Sequence, residues 1–183
     1  MNELVFIDQY GLLGTNYYWR RKELYNLTSE ELAMAGLPDD RLRVHKDILG
    51  PLRIIDKDLQ TKGYRLYISE GYRPKAVYQL IYQKRSKKYG KEWTDRLVNM
   101  KDMPHSTGKT VDTKLWDMKN GKELPMRNLE DGAEALFVDF YRNKTDYESQ
   151  AFQEQQGLLI QVMLDHGFVL GPKNEYFHFN YTG

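Results

Sequence analysis

Tyr64-Arg65-Leu66-Tyr67-Ile68-Ser69-Glu70-Gly71-Tyr72-Arg73-Pro74 is the stretch on which the fold turns. From Tyr64 to Ser69 the side chains alternate in the manner of a half-buried strand. Glu70 to Pro74 reads as the turn that ends it, because proline fixes φ and removes a backbone donor. Upstream, Val44, Ile48, Leu52, Ile55 and Leu59 recur at helical spacing, and Gly63 stands where a C-terminal cap belongs. Gly50-Pro51 falls inside that run and predicts a break or kink. Downstream, a second helix is expected over 75–87.

Further out, residues 89–104 read as irregular. Residues 109–116 read as a strand, with Val111 and Leu115 on the face opposite Asp112. Asn120-Gly121 is a tight-turn signal. A helix is expected over 149–165, with Thr145 and Glu148 at capping-box spacing near its start and Gly167 after its end. Gly171 to Asn174 is a turn, and Tyr176 to Tyr181 an aromatic last strand. Towards the N-terminus, Asn16-Tyr17-Tyr18-Trp19 is an aromatic patch. A short helix around 28–34 has Thr28 or Ser29 as its cap, and Leu37-Pro38-Asp39-Asp40 is a turn. No internal repeat or low-complexity linker divides the chain. One domain over 1–183 is expected, with residues 1–40 packed on it as a candidate contributor to its cleft. Helices come first and strands then mix with helices, so the expected class is α+β: a small, largely antiparallel sheet flanked by helices.

A chain of 183 residues can bury a real core. Its 14 Tyr argue against disorder and read as core and cleft wall. Basic and acidic side chains number 27 and 26, so nothing global favours nucleic acid or an anionic membrane as a partner. The densest basic run, Lys84-Arg85-Ser86-Lys87-Lys88, reads as a solvated helix end. Cysteine is absent, which excludes disulfides, thiolate ligands and a cysteine nucleophile. The first residues lack a basic segment followed by an apolar one, and no apolar run approaches the ~18 residues of a membrane helix. The cytoplasm is the default expectation, and the periplasm would follow if a leader had been removed.

Without thiolates, a metal site must use imidazole and carboxylate. The histidines are His45, His105, His166 and His178. His45 and His166 read as structural, the latter at a helix end beside Gly167. His105 follows Pro104 in a loop, and Asp112 lies seven residues on in a strand. Gly108 between them permits a sharp turn that can fold the imidazole back towards the carboxylate. Glu175-Tyr176-Phe177-His178 pairs a histidine with a carboxylate that need not be a ligand, the arrangement of zinc hydrolases. Arg73 has the forked charge that suits a developing oxyanion, although on its own it reads first as an arginine in a surface turn. Gly108-Lys109-Thr110 is no phosphate loop: Met103 stands where the leading glycine belongs, and a strand follows rather than a helix.

Taken together, the run from Tyr64 to Pro74, the run from His105 to Asp112 and the run from Glu175 to Phe179 resemble the D-alanyl-D-alanine dipeptidases, the VanX-type zinc peptidases. That group combines a Gly-Tyr-Arg-Pro turn, a Ser-x-His-x-x-Gly-x-x-x-Asp segment and a Glu-x-x-His segment in this order. The resemblance covers residues 42–180. It implies the α+β fold shared by D-Ala-D-Ala metallopeptidases and the hedgehog signalling domain. It implies His105, Asp112 and His178 as ligands of Zn2+, Glu175 as general base and later proton donor, and Arg73 as oxyanion stabiliser. The substrate implied is D-Ala-D-Ala or a related dipeptide containing a D-residue. The alternatives are a D,D- or L,D-carboxypeptidase acting on cell-wall stem peptides and a non-catalytic zinc-binding module. The sequence departs from the family where Met103 replaces the serine that helps hold the substrate carboxylate. Met126 to Asp131 retains only the Met and Asp of a Met-Gly-Thr-x-Phe-Asp segment, leaving Asp131 as a candidate anchor for the substrate ammonium. Tyr176-Phe177 stands where the family has Trp-Trp.

Overall fold

The computed structural model describes residues 3–183. Its strands are β1 Leu4–Phe6, β2 Leu13–Gly14, β3 Arg43–His45, β4 Tyr64–Glu70, β5 Thr110–Asp117, β6 Lys122–Glu123, β7 Phe168–Leu170 and β8 His178–Tyr181. Its α-helices are α1 Tyr17–Arg20, α2 Ser29–Met34, α3 Lys46–Gln60, α4 Lys75–Tyr89, α5 Lys91–Leu97 and α6 Tyr147–Leu164. The main sheet runs β2-β4-β5-β8-β7, with β6 added to β5 as a hairpin. Every pair in it is antiparallel except β2–β4. β1 and β3 form a separate antiparallel pair. The α+β architecture expected from the sequence is present.

One face of the sheet is buried against α3 and α6. Ile48, Leu52, Ile55 and Leu59 of α3 are all 0% exposed, and they meet Leu66, Ile68, Val111, Leu115, Leu159 and Phe179 in the main core. This stripe explains why α3 runs unbroken through Gly50-Pro51. An interior proline costs a helix about 3 kcal/mol. Four fully buried aliphatic side chains contribute about 1.5–3 kcal/mol each, so the expected break is overridden. Val44 shares the spacing of the stripe but lies in β3, and His45 ends that strand by accepting the Asp47 N–H on Nδ1 at 3.3 Å.

Two further expectations are corrected. Lys91 to Leu97, read as irregular, is the short helix α5, set off from α4 by Gly90 at φ 86°. Its seven residues are too few for an apolar period to emerge. At the start of α6 the cap is Asp146, which accepts the Ser149 N–H at 2.9 Å, rather than a Thr145–Glu148 box. The box does occur at α2, where Thr28 and Glu31 satisfy each other's backbone N–H groups.

A second cluster ties the N-terminal segment to α4: Tyr18, Tyr25, Leu27, Leu32 and Leu37 pack on Val77, Tyr78 and Ile81. The basic run at the end of α4 serves this junction. Lys84 pairs with Glu31 at 2.6 Å, Lys88 reaches the Leu24 carbonyl, and Arg85 lies over the Tyr25 ring. No helix is long and apolar enough to cross a membrane among the described residues.

Candidate metal centre

The site forms where β5 and β8 pair. Their register sets Asp112 opposite His178. His178 Nδ1 lies 2.8 Å from Asp112 Oδ1. The His178 ring fits because residue 171 has no side chain: a Cβ there would fall 2.2 Å from His178 Cδ2. His105 arrives from a single 3-10 turn, Pro104–Thr107, just before β5. Gly108 closes that turn at φ 74°, and a Cβ on it would meet Leu4 and the His45 nitrogen at 2.7 and 3.0 Å. Glycine is therefore required there twice over, by dihedral and by space.

His105 is 3% exposed and held on every side. Its backbone N–H donates to Tyr78 Oη at 2.9 Å, and its carbonyl accepts the Arg73 N–H at 3.0 Å. Its ring Nδ1 lies 3.0 Å from the Gly71 carbonyl. A carbonyl can only accept, so Nδ1 carries a proton and donates to it, which turns Nε2 towards Asp112. That Nε2 is 3.4 Å from Asp112 Oδ1. His105, Asp112 and His178 thus offer two imidazole nitrogens and a carboxylate oxygen within 4.8 Å of one another.

The donor set fits zinc. Ligands at ~2.0–2.1 Å in a tetrahedron are separated by about 3.3 Å, and His105 and Asp112 stand at 3.4 Å. The His178–Asp112 contact is a hydrogen bond that needs to open by about half an ångström to reach the same spacing. The Gly71 carbonyl already supplies the outer hydrogen bond that orients a ligating imidazole.

The electrostatics are those of a tightly coupled group. Burial pushes the Asp112 carboxyl up, but the charge of His105 and the hydrogen bonds from both histidines outweigh it and hold the carboxyl far below its usual range. Burial pushes His178 down, and the hydrogen bond and charge of Asp112 more than reverse this, so it sits above its usual value. Glu175 is raised, first by burial and then by the negative charge of Asp112.

Glu175 follows the Gly171–Asn174 turn, in which Asn174 takes a left-handed conformation at φ 54°. Its backbone bridges Phe137, with Val138 N–H to Asn174 O at 2.9 Å and Tyr176 N–H to Leu136 O at 3.0 Å. Residues 136–138 therefore clamp the segment that carries it. Among the described residues its carboxylate has no hydrogen-bond or ion-pair partner.

Arg73 is not a surface arginine. It is 7% exposed, and its Nε and Nη2 donate to the two oxygens of buried Glu70 at 2.9 and 2.7 Å. Tyr18 and Tyr78 cover the guanidinium at 4.9 and 4.4 Å. Burial disfavours its charge, but Glu70 outweighs that and raises Arg73 well above its ordinary value. Nη1 is left with both N–H groups uncommitted among the described residues. Glu70 is a functional neighbour that sequence reasoning missed, although its position three residues before Arg73 was a usable signal. Tyr18 and Tyr78 had no local signal, since tertiary packing brings them in.

Asp131, the candidate ammonium anchor, lies in the 3-10 turn Leu129–Asp131. Its oxygens accept from Tyr141 Oη at 2.7 Å and Lys144 Nζ at 3.3 Å. His166 pairs with Asp58 at 2.8 Å. Glu3, His45 and Asp47 form a second group of metal-ligating types at the surface, but Lys46 and Lys109 already neutralise its carboxylates.

No family model matches the sequence, and no curated protein does. Solved structures do match. The LD-carboxypeptidase LdcB superposes with a TM-score of 0.53 at 18% identity, over 77% of this chain and 60% of that one. DacB from Streptococcus pneumoniae D39 gives 0.50 at 19% identity, over 76% and 67%. The vancomycin-resistance D,D-dipeptidase VanXYg, in complex with a D-Ala-D-Ala phosphinate analogue, gives 0.49 at 20% identity, over 81% and 54%. The chain thus spans 60% of the length of LdcB. At such identities the first two likenesses establish the fold, that of the D-Ala-D-Ala metallopeptidases.

Proposed function

We propose that this chain is a zinc-dependent peptidase that hydrolyses short peptides, D-Ala-D-Ala or a related dipeptide with a D-residue. The observation that carries this is the convergence of His105, Asp112 and His178 on one point, with the unpartnered Glu175 carboxylate close enough to feel two of their charges. His105, Asp112 and His178 would hold the ion, which when bound polarises a carbonyl and brings the pKa of a water to ~7. Glu175 takes the proton from the attacking water and delivers it to the leaving amine. Burial and the charge of Asp112 raise its pKa, which favours its holding the proton between the two halves. Arg73 turns its uncommitted Nη1 towards the oxygen on which charge develops. Glu70 and the two tyrosines fix its plane, so little reorganisation is needed at the transition state.

A carboxypeptidase acting on stem peptides is the second reading, and the likeness to LdcB favours it. A purely structural zinc site is disfavoured, because such a site closes four protein ligands around the ion. Among the described residues there are three, beside a carboxylate without a partner. The deciding experiment measures product release from D-Ala-D-Ala, L-Ala-D-Ala and longer stem peptides, with zinc-loaded and chelated protein. Zinc-dependent cleavage of free D-Ala-D-Ala supports the dipeptidase. Cleavage of longer peptides alone moves the chain to the carboxypeptidase reading. No cleavage with zinc bound removes the peptidase assignment for these substrates.

A further inference from the structure

The sheet face that carries Asp112 and His178 does not end at the metal-ligating group. Side chains alternate along a strand, so Lys114 and Trp116 share a face with Asp112, while Val111, Thr113 and Leu115 are fully buried on the other. β4 sets Tyr67 opposite Lys114, and β6 sets Glu123 opposite Trp116. Arg20 reaches this face from the N-terminal segment. Its Nη1 donates to Tyr67 Oη at 3.1 Å and pairs with Glu123. Lys114 Nζ meets the other oxygen of Glu123 at 2.9 Å. The Tyr67 ring stacks on Trp116 at 5.6 Å and 14°, giving the cluster an apolar wall.

Two cations here share one carboxylate, so the cluster has a surplus positive charge. Lys114 commits one of its three ammonium donors to Glu123 and retains two. Its side chain is 32% exposed, within reach of a ligand. Lys114 also stands one pleat repeat, about 7 Å, along β5 from Asp112. In a peptide, the scissile carbonyl carbon and the carboxyl carbon of the next residue are three bonds apart, at most about 4 Å. A charged hydrogen bond adds about 2.8 Å. A substrate in which one residue follows the cleaved bond is therefore of the same length as the spacing between the backbone positions of Asp112 and Lys114.

We propose that Lys114, backed by Arg20 and walled by Tyr67 and Trp116, binds the free α-carboxylate of the residue that leaves, so that the chain removes one C-terminal residue and rejects internal bonds. This rests on the peptidase reading above. Glu123 holds the two cations in place and competes with the incoming carboxylate.

The test compares N-acetyl-D-alanyl-D-alanine with its C-terminal amide. Dissociation constants are measured by calorimetry with zinc present, in Glu175→Gln protein so that nothing turns over. With Lys114 intact, the acid binds about ten- to a hundredfold tighter than the amide. Lys114→Met brings the ratio close to one, Lys114→Arg keeps most of the preference, and Glu123→Gln increases it. An acid-to-amide ratio unchanged in Lys114→Met overturns the proposal, as does the absence of any preference for the acid, including the binding of neither probe. Hydrolysis of the same pair by protein with Glu175 intact separates the two claims. A Lys114-dependent preference without hydrolysis of this pair, of free D-Ala-D-Ala or of longer stem peptides sinks the peptidase reading and leaves the carboxylate subsite standing. Equal cleavage of acid and amide sinks the subsite and leaves the peptidase.

Discussion

Glu175 and Glu70 are two carboxylates of one site with opposite surroundings, and the contrast predicts how each responds to change. Glu175 has no protein partner and is raised by burial and by Asp112. Glu175→Gln removes only the ability to carry a proton. Turnover is expected to fall by about 10²–10⁴-fold, with one zinc still bound per chain by metal analysis. A variant retaining most of its kcat would show that another group moves the proton. Glu70 is 1% exposed and holds Arg73 through two bonds. Glu70→Ala leaves a buried guanidinium unpaired, a loss of about 3–5 kcal/mol. Urea unfolding should show it as a lower midpoint at unchanged slope, and an unchanged midpoint would mean that water or another group takes over from Glu70. The proposed ligands and base were legible in the sequence because three short motifs keep their order. The clamp around Arg73 was legible only in part. Glu70 lies next to it in the chain, whereas Tyr18 comes from 55 positions earlier and Tyr78 from the following helix, and no local pattern announces either.

Among the elements, those with a long apolar period were readable and the short ones were not. The stripe of α3 announced itself from Ile48 to Leu59, and its strength is also why the predicted break at Gly50-Pro51 does not occur. α5 has seven residues and β2 two, so neither carries a period. Strand order was not legible either, because the pairing of β5 with β8 joins residues 66 positions apart. That pairing makes the glycine at the end of β7 part of the site. Gly171 has an ordinary negative φ, since it is absent from the left-handed positions, so alanine there strains no dihedral. Its Cβ would instead displace the His178 ring, which it would approach to 2.2 Å. Gly171→Ala is expected to fold and to bind zinc about 10–100-fold more weakly, the range for disturbing a ligand's support. Competition against a fluorescent chelator measures this. Unchanged affinity would mean that His178 is not held where a ligand must be.

For the whole molecule, the site joins parts of the chain that are far apart in sequence. His105 precedes β5, His178 opens β8, and Arg73 and Tyr78 link the same turn to the N-terminal cluster. An ion bound by His105, Asp112 and His178 therefore fastens two strands and a loop that separate on unfolding. Anything that binds the folded state alone stabilises it by RT ln(1 + [L]/Kd), about 4 kcal/mol at a thousandfold excess over Kd. For a chain of this size each kcal/mol raises the midpoint by about 2–4 °C. Zinc is thus expected to raise the thermal midpoint of chelator-treated protein by about 10 °C, from those two relations together. Calorimetry with and without chelator measures the shift. His178→Ala should unfold at a similar temperature in either condition, because the remaining His105 and Asp112 cannot close around the ion. If the variant keeps the full zinc-dependent shift, the ion binds elsewhere. The surface group of Glu3, His45 and Asp47 is then the place to look, and Asp47→Asn in the same assay decides whether it is the one responsible.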